Sequence, residues 1–352
     1  MWAYAGASAP KSIIIPHIPE VGLANGSFST PQISIGPKTP ESGSPCISHF
    51  GEDQEPRKLL SKRIAEQLKN SGVDFVRGWF QWNLFQKEIL KTGEQEYMFP
   101  LDDFVLAMNE HGIKVVAVIG NGYYRFLPNR LNINDPIEYV SRLAEASRKI
   151  VRHYSGKIHL WQLENEPNWW MEHFWIGWRR GLIWFKKNIG ETILSQLSTI
   201  VKEEDGKAQT MVNLESDTAK VFYDSYSKYC DLLGLDYYPN YIKSNPVDAS
   251  GIRRIARDAR KSTGNKVLIS ETGYSSGPWF FGFNQEKQAG YVASATKEAS
   301  CSDDILGLGI WRLSDTYWRS FPFQENSFGL LARSGSPKQA WFEYVSQIRQ
   351  FS

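Results

Sequence analysis

Cysteine is scarce in this sequence. The 352 residues contain three, Cys46, Cys230 and Cys301, too few for a disulfide framework and without metal-ligand spacing. Excess charge is missing too. Forty basic and 38 acidic residues leave a net +2, which is no electrostatic footprint for nucleic acid. Long apolar runs are absent as well. Near the N-terminus only Ile13-Ile14-Ile15 stands out, and Pro16 stops it; a secretory leader or a membrane span needs far more. For the chain as given these absences favour a cytoplasmic location. Apolar material is plentiful. Hydrophobic residues make up 41%, enough for a large core, and this excludes disorder over most of the chain. Aromatics are abundant: 19 Phe, 16 Tyr and 13 Trp. An indole is large and carries an N–H that must find a partner, so this many Trp predicts uses outside the core.

Residues 1–45 hold seven of the 17 prolines and few helix signals. Asn25-Gly26 between two apolar stretches is a hairpin-turn signal. This stretch reads as an N-terminal extension with one hairpin at most, or as a loosely ordered tail. From residue 46 to 352 the pattern becomes rhythmic. Eight short apolar runs alternate with helical periodicities: 46–50, 73–77, 113–119, 158–164, 209–214, 232–236, 266–271 and 305–312. Leu60, Ile64 and Leu68 recur every fourth residue before Gly72, and Leu101, Phe104, Val105 and Met108 repeat the device before Gly112. Asp135-Pro136 supplies a cap and a first-turn proline for the next helix. Further helices are predicted over 191–204, 217–228, 250–262, 284–299 and 337–350. Runs apolar on both faces suit a parallel sheet covered by helices. Eight such repeats predict an α/β fold, a single-domain (β/α)8 TIM barrel. A doubly wound open sheet is the alternative, but no Gly-rich dinucleotide fingerprint follows the first run.

In such a barrel, chemistry sits where strands end and βα loops begin. The second run ends at Arg77, within Phe75–Trp79. The fourth ends in Trp161–Asn168 (WQLENEPN), the sixth in Gly234–Asn240 (GLDYYPN), the seventh in Leu268–Tyr274 (LISETGY) and the eighth in Gly309–Asp315 (GIWRLSD). Charged groups at the ends of buried strands are costly unless paired or used. None of these ends supplies a lysine for Schiff-base chemistry.

This order of motifs resembles the clan A glycoside hydrolases, the retaining (β/α)8 enzymes, and within them families 39 and 5. The resemblance covers roughly residues 46–350. It implies that Asn165-Glu166 carries the acid/base, with Glu166 the proton donor, and that Glu271 is the nucleophile. It also implies that Arg77, Tyr238 (with Tyr237 as its neighbouring candidate) and Trp311 occupy the clan's arginine, tyrosine and tryptophan positions. The implied activity is hydrolysis of β-linked sugars by double displacement, without metal or cofactor, on a carbohydrate substrate.

The chemistry accounts for these residue types. One carboxylic acid protonates the leaving oxygen while a carboxylate about 5–5.5 Å away attacks the anomeric carbon. Arg77 and the Tyr238 hydroxyl would hold Glu271 ionised. Burial and the charge of Glu271 would keep Glu166 protonated. Asn165 would offer its amide to the sugar 2-hydroxyl, and Trp311 a flat platform for the sugar's C–H face. Glu164, two positions before Glu166, is expected on the same strand face, as a sugar contact or as an ion-pair partner of Arg77 or Arg312. His49 and Asn121, at the ends of the first and third runs, are each a sugar contact or a structural residue.

Residues 169–187, beginning with Trp169 and Trp170, are dense in Trp and Phe with interspersed Arg and Lys. Following the fourth run directly, they are expected at the catalytic mouth as an insert forming aromatic subsites. An aromatic satellite core is the second reading. An interfacial helix is the third, and it would make an amphiphilic glycoside at a membrane surface the substrate. A non-catalytic carbohydrate-binding barrel is the competing function.

Overall fold

The structure, a computed structural model, describes residues 14–16, 54–80, 85, 99–120, 136–168, 189–241, 243–245, 247–315 and 323–351. The Asn25-Gly26 turn, the run 46–50 with His49, Asp135, Asn121 and the insert 169–187 with Trp169 lie outside the described residues.

An eight-stranded, wholly parallel sheet forms the centre. Its strands are β1 (Ile14–Pro16), β2 (Phe75–Trp79), β3 (Lys114–Val118), β4 (Leu160–Gln162), β5 (Gln209–Glu215), β6 (Leu232–Tyr237), β7 (Val267–Thr272) and β8 (Ile305–Ile310). Neighbours follow the order β1-β8-β7-β6-β5-β4-β3-β2, and β1 returns alongside β2. This is the (β/α)8 barrel that the rhythm of apolar runs predicts. β1 lies within residues 1–45, the stretch read from sequence as an extension.

Helices cover the outside: α1 (Gln54–Asn70), α2 (Asp102–Glu110), α3 (Pro136–Tyr154), α4 (Ile189–Glu204), the short α5 (Tyr223–Tyr226), α6 (Gly251–Thr263), α7 (Gln285–Ser300) and α8 (Gln339–Phe351). The predicted helices agree with these to within a few residues, with one correction. The stretch 217–228 is no single helix: α5 is flanked by 3-10 turns at Ala219–Val221 and Ser227–Tyr229. Tyr223 and Tyr226 are the parts of it that bury, and one turn suffices for both. Among the described residues no helix is long and apolar enough to cross a membrane.

Two layers of side chains hold the barrel to its helices. Strand residues alternate between the barrel axis and the helical shell. Ile64, Leu68, Val105, Met108, Leu143, Ile150, Leu194 and Leu197 are buried from the helix side. Trp161, fully buried, faces this shell and meets Phe80 edge-on at 6.3 Å, while Phe80 meets Tyr154 of α3 at 5.2 Å. Its indole N–H donates to Asp205 Oδ2 at 2.9 Å. The other Asp205 oxygen accepts from the Gly156 amide at 3.1 Å and the Ser155 hydroxyl at 3.3 Å. One buried carboxylate therefore joins β4, the turn after α3 and the end of α4.

Asp205→Ala strands the Trp161 indole and the Gly156 amide, and it should destabilise the fold by about 2–4 kcal/mol. A drop in the urea unfolding midpoint would register this; an unchanged midpoint would contradict the assigned role.

Candidate active site

β2 runs to Trp79, two residues beyond the end predicted from sequence, so Arg77 sits inside the strand rather than at its tip. Its guanidinium is fully buried inside the barrel and branches three ways. Nη1 donates to Glu271 Oε1 at 2.5 Å, Nη2 to Asn165 Oδ1 at 2.6 Å and Nε to Gln162 Oε1 at 2.5 Å. The first contact is an ion pair shut away from water. The planar guanidinium can serve three acceptors at once because its donors point along fixed directions.

Glu271 is the penultimate residue of β7 and is 6% exposed. Its second oxygen accepts from the Tyr238 hydroxyl at 2.9 Å. Two charge-bearing or polar donors thus fix both oxygens of one carboxylate. A change of register aims it. β6 and β7 pair Leu235 with Ile269, then Asp236 with Glu271, so Ser270 is an extra residue on β7. Bulges re-aim side chains beside functional sites. Here the bulge lets two consecutive residues bond inside the barrel: Ser270 Oγ donates to Asp236 Oδ1 at 2.6 Å, while Glu271 engages Arg77. The neighbouring strand makes room with Gly309, where a Cβ would lie 2.3 Å from the Ser270 carbonyl oxygen.

Glu166 is half-buried, and its φ of 42° is left-handed, rare for a residue with a side chain. β4 has already ended at Gln162. The chain then turns, and the Glu166 amide donates to Asn213 Oδ1 at 3.0 Å. Such backbone conformations cluster at functional sites, where the surroundings hold them. The turn also corrects the expected face-sharing of Glu164 and Glu166. Strand alternation no longer applies past Gln162. The Glu164 carboxylate instead accepts from the Asn165 amide at 2.8 Å and lies against Gly120 at the end of β3.

Asn213, on β5, is the hub that sequence reading missed. Its amide N–H₂ donates to Asn165 Oδ1 at 3.0 Å and Asp236 Oδ2 at 2.5 Å. Its carbonyl oxygen accepts from the Glu166 amide and, at 2.6 Å, from Gln162 Nε2. Gln162, Asn213 and Asp236 are all fully buried. The available signal was a polar residue set into several of the apolar runs, such as Gln162, Asn213 and Asp236. Asn168 ties the same loop to β5, exchanging hydrogen bonds with the Glu215 backbone at 2.7 and 2.9 Å.

Electrostatics divides the acids. Burial and, next, the charge of Glu271 hold the Asp236 carboxyl well above the usual carboxylate range. The Tyr238 hydroxyl is raised by burial, then by Glu271, Asp236, Glu325 and Glu166. Glu166 therefore acts on the same hydroxyl that binds Glu271. Tyr238 and Tyr237 face different surroundings: the Tyr238 hydroxyl bonds Glu271, whereas the Tyr237 hydroxyl packs against Gly251 at the start of α6. Trp311, just past β8, is 6% exposed, and its indole N–H donates to Glu325 Oε2 at 3.3 Å. Glu325 also accepts from the Tyr241 hydroxyl. Neither Glu325 nor Tyr241 was singled out from sequence. After β7, Phe283 is buried, while Trp279, Phe280 and Phe281 are exposed on the rim. Among the described residues no group of His, Cys, Asp and Glu is arranged to hold a metal ion.

No family model matches this chain, and no curated protein matches its sequence. Solved structures do resemble it. A GH5_18 protein from Streptomyces cattleya, in complex with GlcNAc, superposes with a TM-score of 0.67 at 14% identity, over 98% of this chain and 81% of that one. A family 39 glycoside hydrolase from Bacteroides cellulosilyticus gives 0.56 at 16% identity, over 82% and 60%. A beta-glucuronidase from Bacteroides uniformis gives 0.59 at 15%, covering 83% of this chain, which spans 33% of that longer protein. At these identities the likeness is one of fold: the barrel is of the kind that these glycoside hydrolases use.

Proposed function

We propose that the protein is a retaining β-glycoside hydrolase. The observation that carries this reading is the double clamp on Glu271, with Arg77 on one oxygen and Tyr238 on the other. A nucleophile must be ionised and must point one way before the substrate arrives. A buried guanidinium supplies the charge, and the tyrosine supplies direction. Asn165-Glu166 follows β4, three strands round the barrel from β7, and is tied to the same Arg77 through Asn165.

In the proposed reaction Glu271 attacks the anomeric carbon as Glu166 gives its proton to the departing oxygen. A covalent glycosyl-enzyme results. Bond formation removes the negative charge of Glu271, so Glu166 then accepts a proton from water, and that water displaces Glu271. Arg77 and Tyr238 bind Glu271 more strongly as it regains charge, which makes it a better leaving group in the second step. Burial and then the charge of Glu271 raise the Asp236 carboxyl, which favours its neutral form beside the Arg77–Glu271 pair. Barrel neighbours crystallised with GlcNAc and Manb1-4GlcNAc support a carbohydrate substrate.

Removing the nucleophile as Glu271→Gly should cut turnover of aryl β-glycosides by about 10⁴-fold or more. Azide should restore it, releasing the α-glycosyl azide. Glu166→Ala should lose about 10²–10⁴-fold on glycosides with poor leaving groups and far less on dinitrophenyl glycosides; azide should then yield the β-product. Wild-type protein inactive on a broad panel of aryl glycosides would sink the reading.

Asp236→Asn keeps an acceptor for Asn213 and a neutral group beside Ser270. It should stay within about fivefold of wild-type turnover, because a neutral amide replaces a carboxyl that burial pushes toward its neutral form. The raised folded-state value means that wild-type stability falls as pH climbs from the unfolded Asp value, about 3.9. The variant lacks this fall, so the difference in melting temperature, variant minus wild type, should widen upward from about pH 4. A difference that shrinks with rising pH would show Asp236 to be ionised.

A further inference from the structure

β2 presents a second polar group beside Arg77. Trp79 lies two residues on, so it shares the face of Arg77. Its successor Phe80 continues the ladder through its amide to Val118 O at 2.7 Å and turns to the helical shell against Tyr154 and Trp161. Trp79 is therefore the last residue of β2 directed toward the axis, one layer above Arg77. The Arg77 guanidinium carbon lies 5.6 Å from the centroid of its ring. Trp79 is 6% exposed, and its indole N–H is buried without an acceptor.

A buried donor without a partner is costly, and native proteins rarely leave one. Trp161 shows the usual solution, an indole N–H on a buried carboxylate. Leaving the Trp79 donor open makes physical sense where a ligand oxygen completes it. At the mouth of this barrel, beside the Arg77–Glu271 pair, that oxygen belongs to whatever Glu271 attacks.

We propose that Trp79 is a substrate-binding residue whose indole N–H donates to one ring hydroxyl of a neutral glycone seated against Glu271. The inference rests on the glycosidase reading for the location of the sugar. It adds a recognition contact on β2, with β1 alone between that strand and β8, which the Trp311–Glu325 pair follows. The hydroxyl accepts from the indole and donates elsewhere. A glycone lacking that hydroxyl leaves the donor buried and unmet, so the contact discriminates among sugars that differ at one carbon.

S-linked aryl glycosides bind without being hydrolysed, so their affinity is independent of turnover. For Trp79→Phe, calorimetry should show binding of the parent thioglycoside weakened about three- to tenfold, the scale of one neutral hydrogen bond. In a series of monodeoxy thioglycosides, one member should bind wild type and variant equally. The variant should melt at or above the wild-type temperature, since Phe brings no N–H to bury. A residue with a merely structural role would lower both affinity and stability. Replacing Trp79 by 3-benzothienylalanine, which exchanges N–H for sulfur at constant shape, should reproduce the loss. Unchanged affinity, a loss spread over every deoxy position, or a melting temperature that falls with the affinity would each overturn the assignment. Thioglycoside binding with no turnover of the O-linked counterparts would sink the hydrolase reading alone. A wild-type protein that binds no glycoside would overturn both.

Discussion

A buried ion pair organises the mouth of this barrel. Arg77 is fully enclosed, so its charge has to be met by protein, and Glu271 meets it at 2.5 Å. Neither group tolerates the loss of the other. A stranded buried charge costs about 3–5 kcal/mol, and the remaining donors of Arg77 would lose their alignment. The rest of the site hangs on this pair. Asn165 and Gln162 accept the other guanidinium donors, Asn213 bonds both of them, and through Asn213 the amide of Glu166 is held. With Asp236 of β6, which Asn213 also bonds, five strands thus reach one another through polar side chains inside a barrel whose outer layer is apolar.

That network resolves a problem of charge density. Glu271, Asp236 and Glu166 act on one tyrosine hydroxyl, with Glu325 acting beside them. Three or four anions in a dry space would repel one another strongly. Burial instead pushes Asp236 toward its neutral form, and Arg77 is committed to Glu271. Asp236 and Glu271, close together, are therefore held differently: one is raised by burial, the other paired with a guanidinium.

Backbone irregularity places them. The additional residue on β7 and the left-handed backbone at Glu166 both depart from regular barrel geometry, and both fall on the proposed catalytic glutamates or beside them. Regular strands would send Ser270 and Glu271 to opposite faces. A right-handed continuation after Asn165 would carry the Glu166 amide away from Asn213. Each deviation is held by contacts from other strands: Asp236 bonds Ser270, and Asn213 bonds Glu166.

Much of this was legible in the linear chain. The alternation of apolar runs and helical periodicities marked β2 to β8 and most helices to within a few residues, because burial on both faces of a parallel strand leaves a pattern that needs no partner to be read. Glu166, Glu271, Tyr238 and Trp311 could be picked out at or just past the ends of those runs through the resemblance to a known family, and Arg77 likewise, though it lies inside β2 and not at its tip. Less legible were contacts that depend on other strands. β1 came from within the stretch read as an extension, since a three-residue strand such as Ile14–Pro16 carries almost no periodicity. Asn213 and Gln162 looked like ordinary polar residues until the strands met. Tyr237 and Tyr238 could be told apart only once the surroundings of each hydroxyl were seen, and Glu164 only once β4 was seen to stop at Gln162. Sequence by itself determined the architecture and the kinds of chemical group at the mouth, because hydrophobic spacing and residue type are local properties. Tertiary structure decided which groups touch, which acid sheds its charge and which N–H waits for a ligand, because each of these depends on distances between strands far apart in the chain.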